Sequence, residues 1–444
     1  MAVVRAPLCF LLFVLVILYP LAIAFHLPHE NPQGPAAHRG KFSNIARRSV
    51  TLDLKRNPNY NPNGPAEYAR ALRKWGAEVP QQLVHSLAAM GDPGGKTGEV
   101  DAESIKNDRE YLSRVGFGTP LQWLNMDLDT GSADVWVYST ETQPEVAKYH
   151  TLWKMEESST AKKVENGSWM ITYGDGSAAW GNIYHDTVSL ASITIPNATV
   201  ESALSAAPPL AGDPDLDGIF GLSYGLPSLT TPPQQTLLSA LLPHLESPLF
   251  TVDLHHHSSH KPSSYTFGTI PASHHTGHAP LHYTRLIPQA QYWQFAYRGI
   301  HVEGQEEWYI NPLFNAIADT GTTLMLLSRP TAELYYGSVP GAWRNYTLGG
   351  IWTFPCSGYK LPDFEIGLVA DIGGVEEAVI AVPGRYMNYS AFTDGTGTCM
   401  GGLQEWGYDE FGIFGDVFLK AVYAVFDVGA ARIGFAQKVL EPEV

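Results

Sequence analysis

One short pattern occurs twice in this chain, in the same order and at nearly the same spacing. It constrains the fold more than any other feature. The segment "MDLDTGSADVWV" holds Asp129-Thr130-Gly131, and "AIADTGTTLMLL" holds Asp319-Thr320-Gly321, each triplet embedded in apolar sequence. Downstream of the first lies "DGIFGLSY", and downstream of the second lies "FGIFGDVF". Asp129 to Gly221 is 92 residues and Asp319 to Gly415 is 96. A single three-letter match carries little weight, but a paired motif at a repeated interval implies internal duplication. Two homologous lobes are expected, at residues 99–290 and 291–444.

The class of those lobes follows from punctuation. With 42 Gly and 32 Pro in 444 residues, and short apolar runs alternating with turn signals from about residue 99, the pattern is all-β. No long amphipathic helix or coiled-coil repeat is legible. Residues 25–98 differ. They hold the loop-like "NPNYNPNGP", one helical pattern in "AEYARALRKWGAEV", and the Gly-rich "MGDPGGKTGEV". Charge divides at the same place. Residues 25–90 carry nine Lys/Arg against four Asp/Glu, and residues 91–444 carry eighteen against forty, within a net charge of −16. No cluster of five basic residues speaks for nucleic acid. A basic front segment that pairs with an acidic body accounts for the split, and residues 25–98 read as a propeptide.

Ahead of it, Arg5 precedes the apolar run "LCFLLFVLVILYPLAIA", which ends in Ala22-Ile23-Ala24. A secretory signal peptide at 1–24, cleaved before Phe25, fits better than a membrane anchor because Pro20 and the small-residue site interrupt the run. Export sets the redox expectation. With Cys9 in the leader, only Cys356 and Cys399 remain for an intramolecular bridge. The N-x-S/T sequons at Asn166, Asn197, Asn345 and Asn388 are glycosylation candidates.

The duplicated triplets define the chemistry. Gly permits close backbone approach, and the Thr and Ser hydroxyls can bond the acid. Lobes packed about a pseudo-twofold axis bring Asp129 and Asp319 together, where two carboxyls share one proton over an acidic range. One then serves as base towards a water and the other as acid towards a carbonyl oxygen, which suits amide hydrolysis without a covalent intermediate.

Residues 105–440 resemble the pepsin-like aspartic endopeptidases, closest in motifs to the secreted fungal members. The resemblance implies a bilobal all-β fold with the cleft between two barrel-like lobes, and Asp129 and Asp319 as the catalytic dyad. It implies that Thr130 and Thr320 lock the two loops together. Ser132 and Thr322 would bond the outer carboxyl oxygens, and Gly131 and Gly321 would leave room for water and substrate. The segment "ITYGDGSAAWGNIYHDTV" is similar to the family's flap hairpin, with Tyr173 as the tyrosine that covers substrate, Gly174 beside it and Trp136 supporting it. Asp175 with Ser177 implies that Lys is accepted before the scissile bond beside bulky apolar side chains, and Asp127 matches an acid lining that pocket in some members. Gly221 and Gly415 match the glycines closing a ψ-shaped loop behind each aspartate. Cys356 and Cys399 match a disulfide of the second lobe. "ALRKWGA" resembles the family's Lys-Tyr pair with Trp75 replacing Tyr, so Lys74 would plug the dyad.

The partners so implied are extended polypeptide substrates, the chain's own propeptide and pepstatin-like inhibitors. No cofactor, metal, nucleic acid or membrane is expected, and the protein is expected to be a monomer. The class of inactive, pepsin-shaped binding proteins is the competing expectation. It usually shows a broken triplet or a lost flap tyrosine, and this chain keeps both.

Other motifs read more plainly. Asp213-Pro214-Asp215-Leu216-Asp217-Gly218 matches half an EF-hand loop, but Tyr224 stands where a bidentate Glu is needed, so an acidic surface turn is expected. The histidines 255–257, 260, 274, 275, 278 and 282 are irregularly spaced and read as a solvated loop. Pro271 and the "HHHSSHKPSS" stretch depart from the family pattern away from the catalytic motifs. Asp134 is expected to have a structural hydrogen-bonding role.

Overall fold

The structure, a computed structural model, describes residues 47–56, 63–90, 111–172, 178–206, 215–256, 259, 261–272, 279–311, 314–369, 378–407 and 411–439. The chain divides into a unit at 1–45 and a unit at 46–444, and all described residues lie in the second. Strands dominate.

The strands named below are β1 (Val50–Asp53), β2 (Lys55–Arg56), β3 (Tyr111–Phe117), β4 (Gln122–Asp129), β5 (Val135–Tyr138), β6 (Lys162–Thr172), β7 (Ala178–Leu190), β8 (Ile193–Ala206) and β9 (Gly218–Gly221). In a nine-stranded sheet the order is Thr230–Thr231, β6, β7, β8, β5, β9, β4, β3, β2. β9 lies between β4 and β5, parallel to the former and antiparallel to the latter, with Asp129 opposite Gly221. The second half repeats this device. Gly412–Phe414 lies between Asn315–Ala318, to which it is parallel, and Met325–Leu327, to which it is antiparallel. Each is a ψ-shaped crossing that leaves an aspartate at the end of a buried strand.

The glycines in these crossings are sterically required. A Cβ on Gly221 would lie 2.4 Å from the Ala133 carbonyl carbon, and one on Gly415 would lie 2.1 Å from the Thr322 oxygen. Both contacts are to backbone that cannot yield.

A six-stranded sheet joins the halves. It places Leu249–Asp253 and Ser264–Phe267 beside Val422–Asp427 and Arg432–Gln437. It therefore draws strands from both sides of the expected 290/291 boundary. β1, from the basic front segment, adds at its edge by pairing with Ser264–Phe267. β2 likewise pairs with β3. The front segment is thus built into two sheets.

Helix α1 (Gly64–Lys74) begins at Asn63, whose side chain accepts from the Ala66 amide, with Pro65 in the first turn. The helical pattern expected to run to Val79 stops earlier. Gly76 adopts φ 71°, its N–H bonds Arg73 O, and the Ala77 N–H bonds Leu72 O. That Schellman closure ends the helix at Lys74, one turn after Arg70. A second helix, α2 (Gln81–Ala89), follows Pro80. Tyr68, Leu72, Leu83 and Leu87 of the two helices pack on Leu348, Ile351, Met400 and Ile413 of the second half. Cys356 and Cys399 are bridged, tying together the neighbouring strands Ile351–Pro355 and Thr398–Gly401.

Candidate active site

Asp129 ends β4 and Asp319 follows Asn315–Ala318, and the two ψ crossings bring their carboxyls into hydrogen-bonding contact. Both are buried, at 3% and 0% exposure. The loops are cross-linked by reciprocal bonds. The Thr130 N–H donates to Thr320 Oγ1 at 3.0 Å, and the Thr320 N–H donates to Thr130 Oγ1 at 3.0 Å. Each hydroxyl in turn donates across the axis, Thr130 to Ala318 O at 2.9 Å and Thr320 to Leu128 O at 2.6 Å. Four backbone groups are satisfied by two side chains, which fixes the separation of the carboxyls.

Each aspartate has the same two local donors. Gly131 N–H and Ser132 Oγ–H reach Asp129 at 2.8 and 2.6 Å. Gly321 N–H reaches Asp319 at 3.0 Å, and the Thr322 hydroxyl bonds its other oxygen. A Cβ on Gly131 would sit 2.4 Å from Asp319 Oδ1, and one on Gly321 would sit 2.3 Å from Asp129 Oδ1. Only glycine fits at either position.

Between the carboxyls stands the Lys74 ammonium, from the end of α1. Nζ is 2.8 Å from Asp129 Oδ1 and 2.9 Å from Asp319 Oδ2. Burial works against the charged lysine, but the two carboxylates outweigh it and its pKa is raised. For Asp129, burial favours the neutral acid, yet Lys74 and Ser132 outweigh it and hold the group below its ordinary value. Asp319 is pushed up to about 6, by burial first and by the Asp129 charge, against the pull of Lys74. The two titrate as a unit, one acid easily ionised and one reluctant. Asp127 lies two residues before Asp129 on the same face of β4. Burial and then the Asp129 charge raise it to about 7, opposed by Arg70 and Lys74.

A cavity of about 440 Å³ adjoins the pair. Its lining includes Asp127, Trp136, Ile171, Leu229 and Tyr292 together with Arg70 and Arg73 of α1. Trp75, next to Lys74, occupies a separate niche. Its Nε1–H bonds Thr322 Oγ1 at 3.2 Å, and its ring meets Tyr292, Trp406 and Phe411 at centroid distances of 5.1, 6.5 and 6.1 Å.

The remaining predicted residues fall as follows. Trp136 is fully buried under the cavity, stacked on Trp169, and its Nε1–H has no hydrogen-bond partner among the described residues. β6 and β7 form the expected hairpin, with Thr172 opposite Ala178. Its tip, with Tyr173, Gly174, Asp175 and Ser177, lies outside the described residues. Asn166 and Asn197 are exposed at positive φ, Asn388 is exposed, and Asn345 is half-buried with its side chain accepting from Thr347. His257, His260, His274, His275 and His278 lie outside the described residues. His256 stacks on Tyr386, and no group of three or more metal-ligating side chains occurs among the described residues.

One expectation is corrected. The Asp215–Gly218 turn is not a surface acid cluster throughout, because Asp217 is buried at 2% exposure. Its carboxyl accepts from the Asn125 and Thr151 amides at 2.8 and 2.7 Å, which keeps it inside the fold. Sequence reasoning missed Glu201, buried on β8 against Asp134, and the aromatic niche around Trp75. For Glu201 a signal existed, since an acid in the strand pattern "ATVESALSA" needs a partner.

Paired carboxyls at the crossing of two ψ loops, with Thr-Gly locking each, define an aspartic protease. A profile of the family described as eukaryotic aspartyl protease matches residues 110–438. The chain belongs to that pepsin-like family and is an aspartic endopeptidase, a hydrolase acting on polypeptides. It is 38% identical over 380 residues to aspergillopepsin-1 of Emericella nidulans, covering 85% of this chain and 89% of the relative. It is 36% identical over 389 residues to endothiapepsin of Cryphonectria parasitica, covering 86% and 89%. With aspergillopepsin-1 of Aspergillus fumigatus the identity is 39% over 394 residues, covering 88% and 93%.

Proposed function

We propose that this chain is made as an exported, inactive precursor whose 25–98 segment blocks the cleft, and that acid converts it to the working endopeptidase. The Lys74 ammonium between Asp129 and Asp319 carries this reading, because a cation there occupies the position a reacting water needs. Residues 1–24 are the leader, removed before Phe25, and the destination is extracellular or vacuolar. Residues 99–290 and 291–444 are the two catalytic lobes of a monomer.

Once Lys74 has left, the dyad shares one proton. The ionised carboxyl takes a proton from water as its oxygen attacks the amide carbon. The neutral carboxyl gives its proton to the carbonyl oxygen. The resulting diol collapses as the nitrogen is protonated, and the dyad regains its single proton. Ser132 and Thr322 orient the carboxyls, and Tyr173 on the flap covers the extended peptide with Trp136 beneath. Bulky apolar side chains flank the scissile bond, with Lys accepted before it through Asp175, Ser177 and Asp127. Pepstatin-like inhibitors compete for the same cleft.

Acid conversion follows from the direction of the Asp129 shift. A carboxyl held below its ordinary value by a docked cation stabilises docking above the ordinary range, and that contribution is lost as pH falls through the depressed value. Asp127, raised to about 7, has the opposite sign and loses its contribution as pH rises through that value. Release on acidification is therefore assigned to the Lys74–Asp129 pair. Incubating the full chain from pH 3 to pH 7 and following its shortening tests this. The wild type converts at acid pH and gains pepstatin-sensitive activity, and Lys74→Met raises the conversion midpoint by about one pH unit. An unchanged midpoint removes Lys74 from the mechanism.

A further inference from the structure

Asp134, five residues after Asp129, has no part in the reaction described above. It is 3% exposed, and its Oδ1 accepts from the Leu229 N–H at 2.8 Å. The strand that follows, β5, runs parallel to β8 with Trp136 opposite Glu201, which brings the Glu201 carboxyl against that of Asp134. Glu201 is 1% exposed, and besides Asp134 the Ser228 hydroxyl is its side-chain partner among the described residues, at 3.5 Å from Oε1. Among the described residues no other side chain or amide donates to its Oε2. Among the described residues, the groups that act on the two acids are each other, Ser228 and the Leu229 amide. Arg70, Arg73, Lys74, Asp127 and Asp129 line the same cavity as Asp134 but are not among them.

What the acids hold is the wall of the cleft. Leu226, Pro227 and Leu229 line the cavity, and Thr230 continues into a short pairing with Trp169 of β6 at the base of the flap. We propose that Asp134 and Glu201 form a second proton-sharing carboxyl pair, outside the catalytic dyad, that positions the 226–231 wall of the cleft and sets the alkaline limit of the enzyme. Two carboxyls in contact need one O–H between them, since ionised carboxylates only accept. With no cation among the described residues acting on the pair, losing that proton leaves two like charges buried together.

The other half of the molecule is the internal control. Aligned on the Asp-Thr-Gly triplets, Asp134 corresponds to Leu324, and Glu201, opposite Trp136, corresponds to Gln404, opposite Leu326 in the same parallel register. Gln404 is fully buried and satisfied, accepting from Trp352 N–H and donating to Trp352 O and Gly401 O. One half therefore uses a permanent amide where the other uses a removable proton. Burial first, then the Asp134 charge, raises Glu201 well above the ordinary value, and burial raises Asp134. A raised carboxyl stabilises the fold below its ordinary pKa, and the contribution is lost as pH rises through the folded value. Asp134 and Glu201 are positioning residues, acting through Leu229 and its neighbours.

The inference rests on the cleft being the peptide site, and one experiment separates the two. The full chain carrying Glu201→Gln is acid-converted, and kcat/KM for a peptide is profiled from pH 3 to 8. The acid plateau tests the peptide-site reading. The alkaline limb tests the pair, and it moves up by about one pH unit because Gln supplies its N–H at every pH. The melting midpoint of the unconverted chain, taken at pH 4 and pH 7, shows a smaller difference in the variant. Asp134→Asn, which keeps the acceptor for Leu229, moves the limb the same way and serves if Glu201→Gln does not fold. A limb that stays in place with the plateau intact, or activity lost equally at all pH values, overturns the proposal.

Discussion

The two ψ crossings have the same topology and unlike interiors. Asp129 and Asp319 each take a glycine amide and a hydroxyl, and the Thr130–Thr320 exchange is reciprocal to within the bond lengths. One residue beyond that shared shell the halves diverge. The first continues as Ala133-Asp134-Val135-Trp136, and the second as Thr323-Leu324-Met325-Leu326. The first half abuts the cavity and the flap hairpin, whereas the second packs Leu324 and Leu326 against α1 and α2 of the front segment. Symmetry is kept where two carboxyls must be equivalent in space, and abandoned where one side faces the cavity and the other a packed core.

The largest effect tests the symmetric part. Asp129→Asn and Asp319→Asn each leave an isosteric acceptor but remove the acid or the base, so peptide hydrolysis falls by roughly four orders of magnitude in either variant. Circular dichroism and the melting transition remain close to those of the wild type. Retained turnover in one of the two shows that the carboxyls do not act as a unit.

A second substitution crosses the halves. Gln404→Glu places in the second half the acid that the first half carries, but with Leu324 in the place of Asp134 it meets no second carboxyl. The carboxylate cannot donate to Trp352 O or Gly401 O, and its charge is buried. Chemical denaturation near pH 7 shows a loss of about 3 kcal/mol. The loss shrinks at pH 4, where the acid is protonated. Glu201→Gln has the opposite pH dependence, so a matching dependence in the two variants rules out the proton as the difference between the halves.

How much of this was legible in the sequence depends on range. The duplication, the all-β class and the meeting of Asp129 with Asp319 were readable because each motif is contiguous and repeats at a fixed interval. The bridge between Cys356 and Cys399 followed from resemblance, and the structure carries it. Contacts made by register were not readable. Nothing local in "ATVESALSA" says that Glu201 lies beside Trp136, since that depends on a parallel pairing across more than sixty residues, counted from Trp136 to Glu201. Asp217 was read as a surface acid because its partners, the Asn125 and Thr151 amides, come from other segments. The front helix was read from Ala66, two residues after its start at Gly64, and too long at its end, since the Gly76 closure competes with the apolar period running through to Val79.

The smallest expected effect is also the most exacting test of the shared shell. Thr130→Val strands the Thr320 N–H and removes the hydroxyl from the Ala318 carbonyl, and Thr320→Val strands the Thr130 N–H while the Leu128 carbonyl keeps the Tyr265 hydroxyl at 3.0 Å. All of these groups are buried, so each variant loses about 1–3 kcal/mol, measured by urea unfolding of the full chain. Apart from the Tyr265 bond to Leu128 the two sets are mirror copies, so the losses agree to within about 1 kcal/mol, with Thr130→Val the larger. The Ser counterparts, Thr130→Ser and Thr320→Ser, keep the hydroxyl and recover most of the loss. A large inequality between the two Val variants locates the asymmetry inside the Thr exchange itself. Equal losses confine it to the layer beginning at Asp134 and Leu324, where a removable proton faces a leucine.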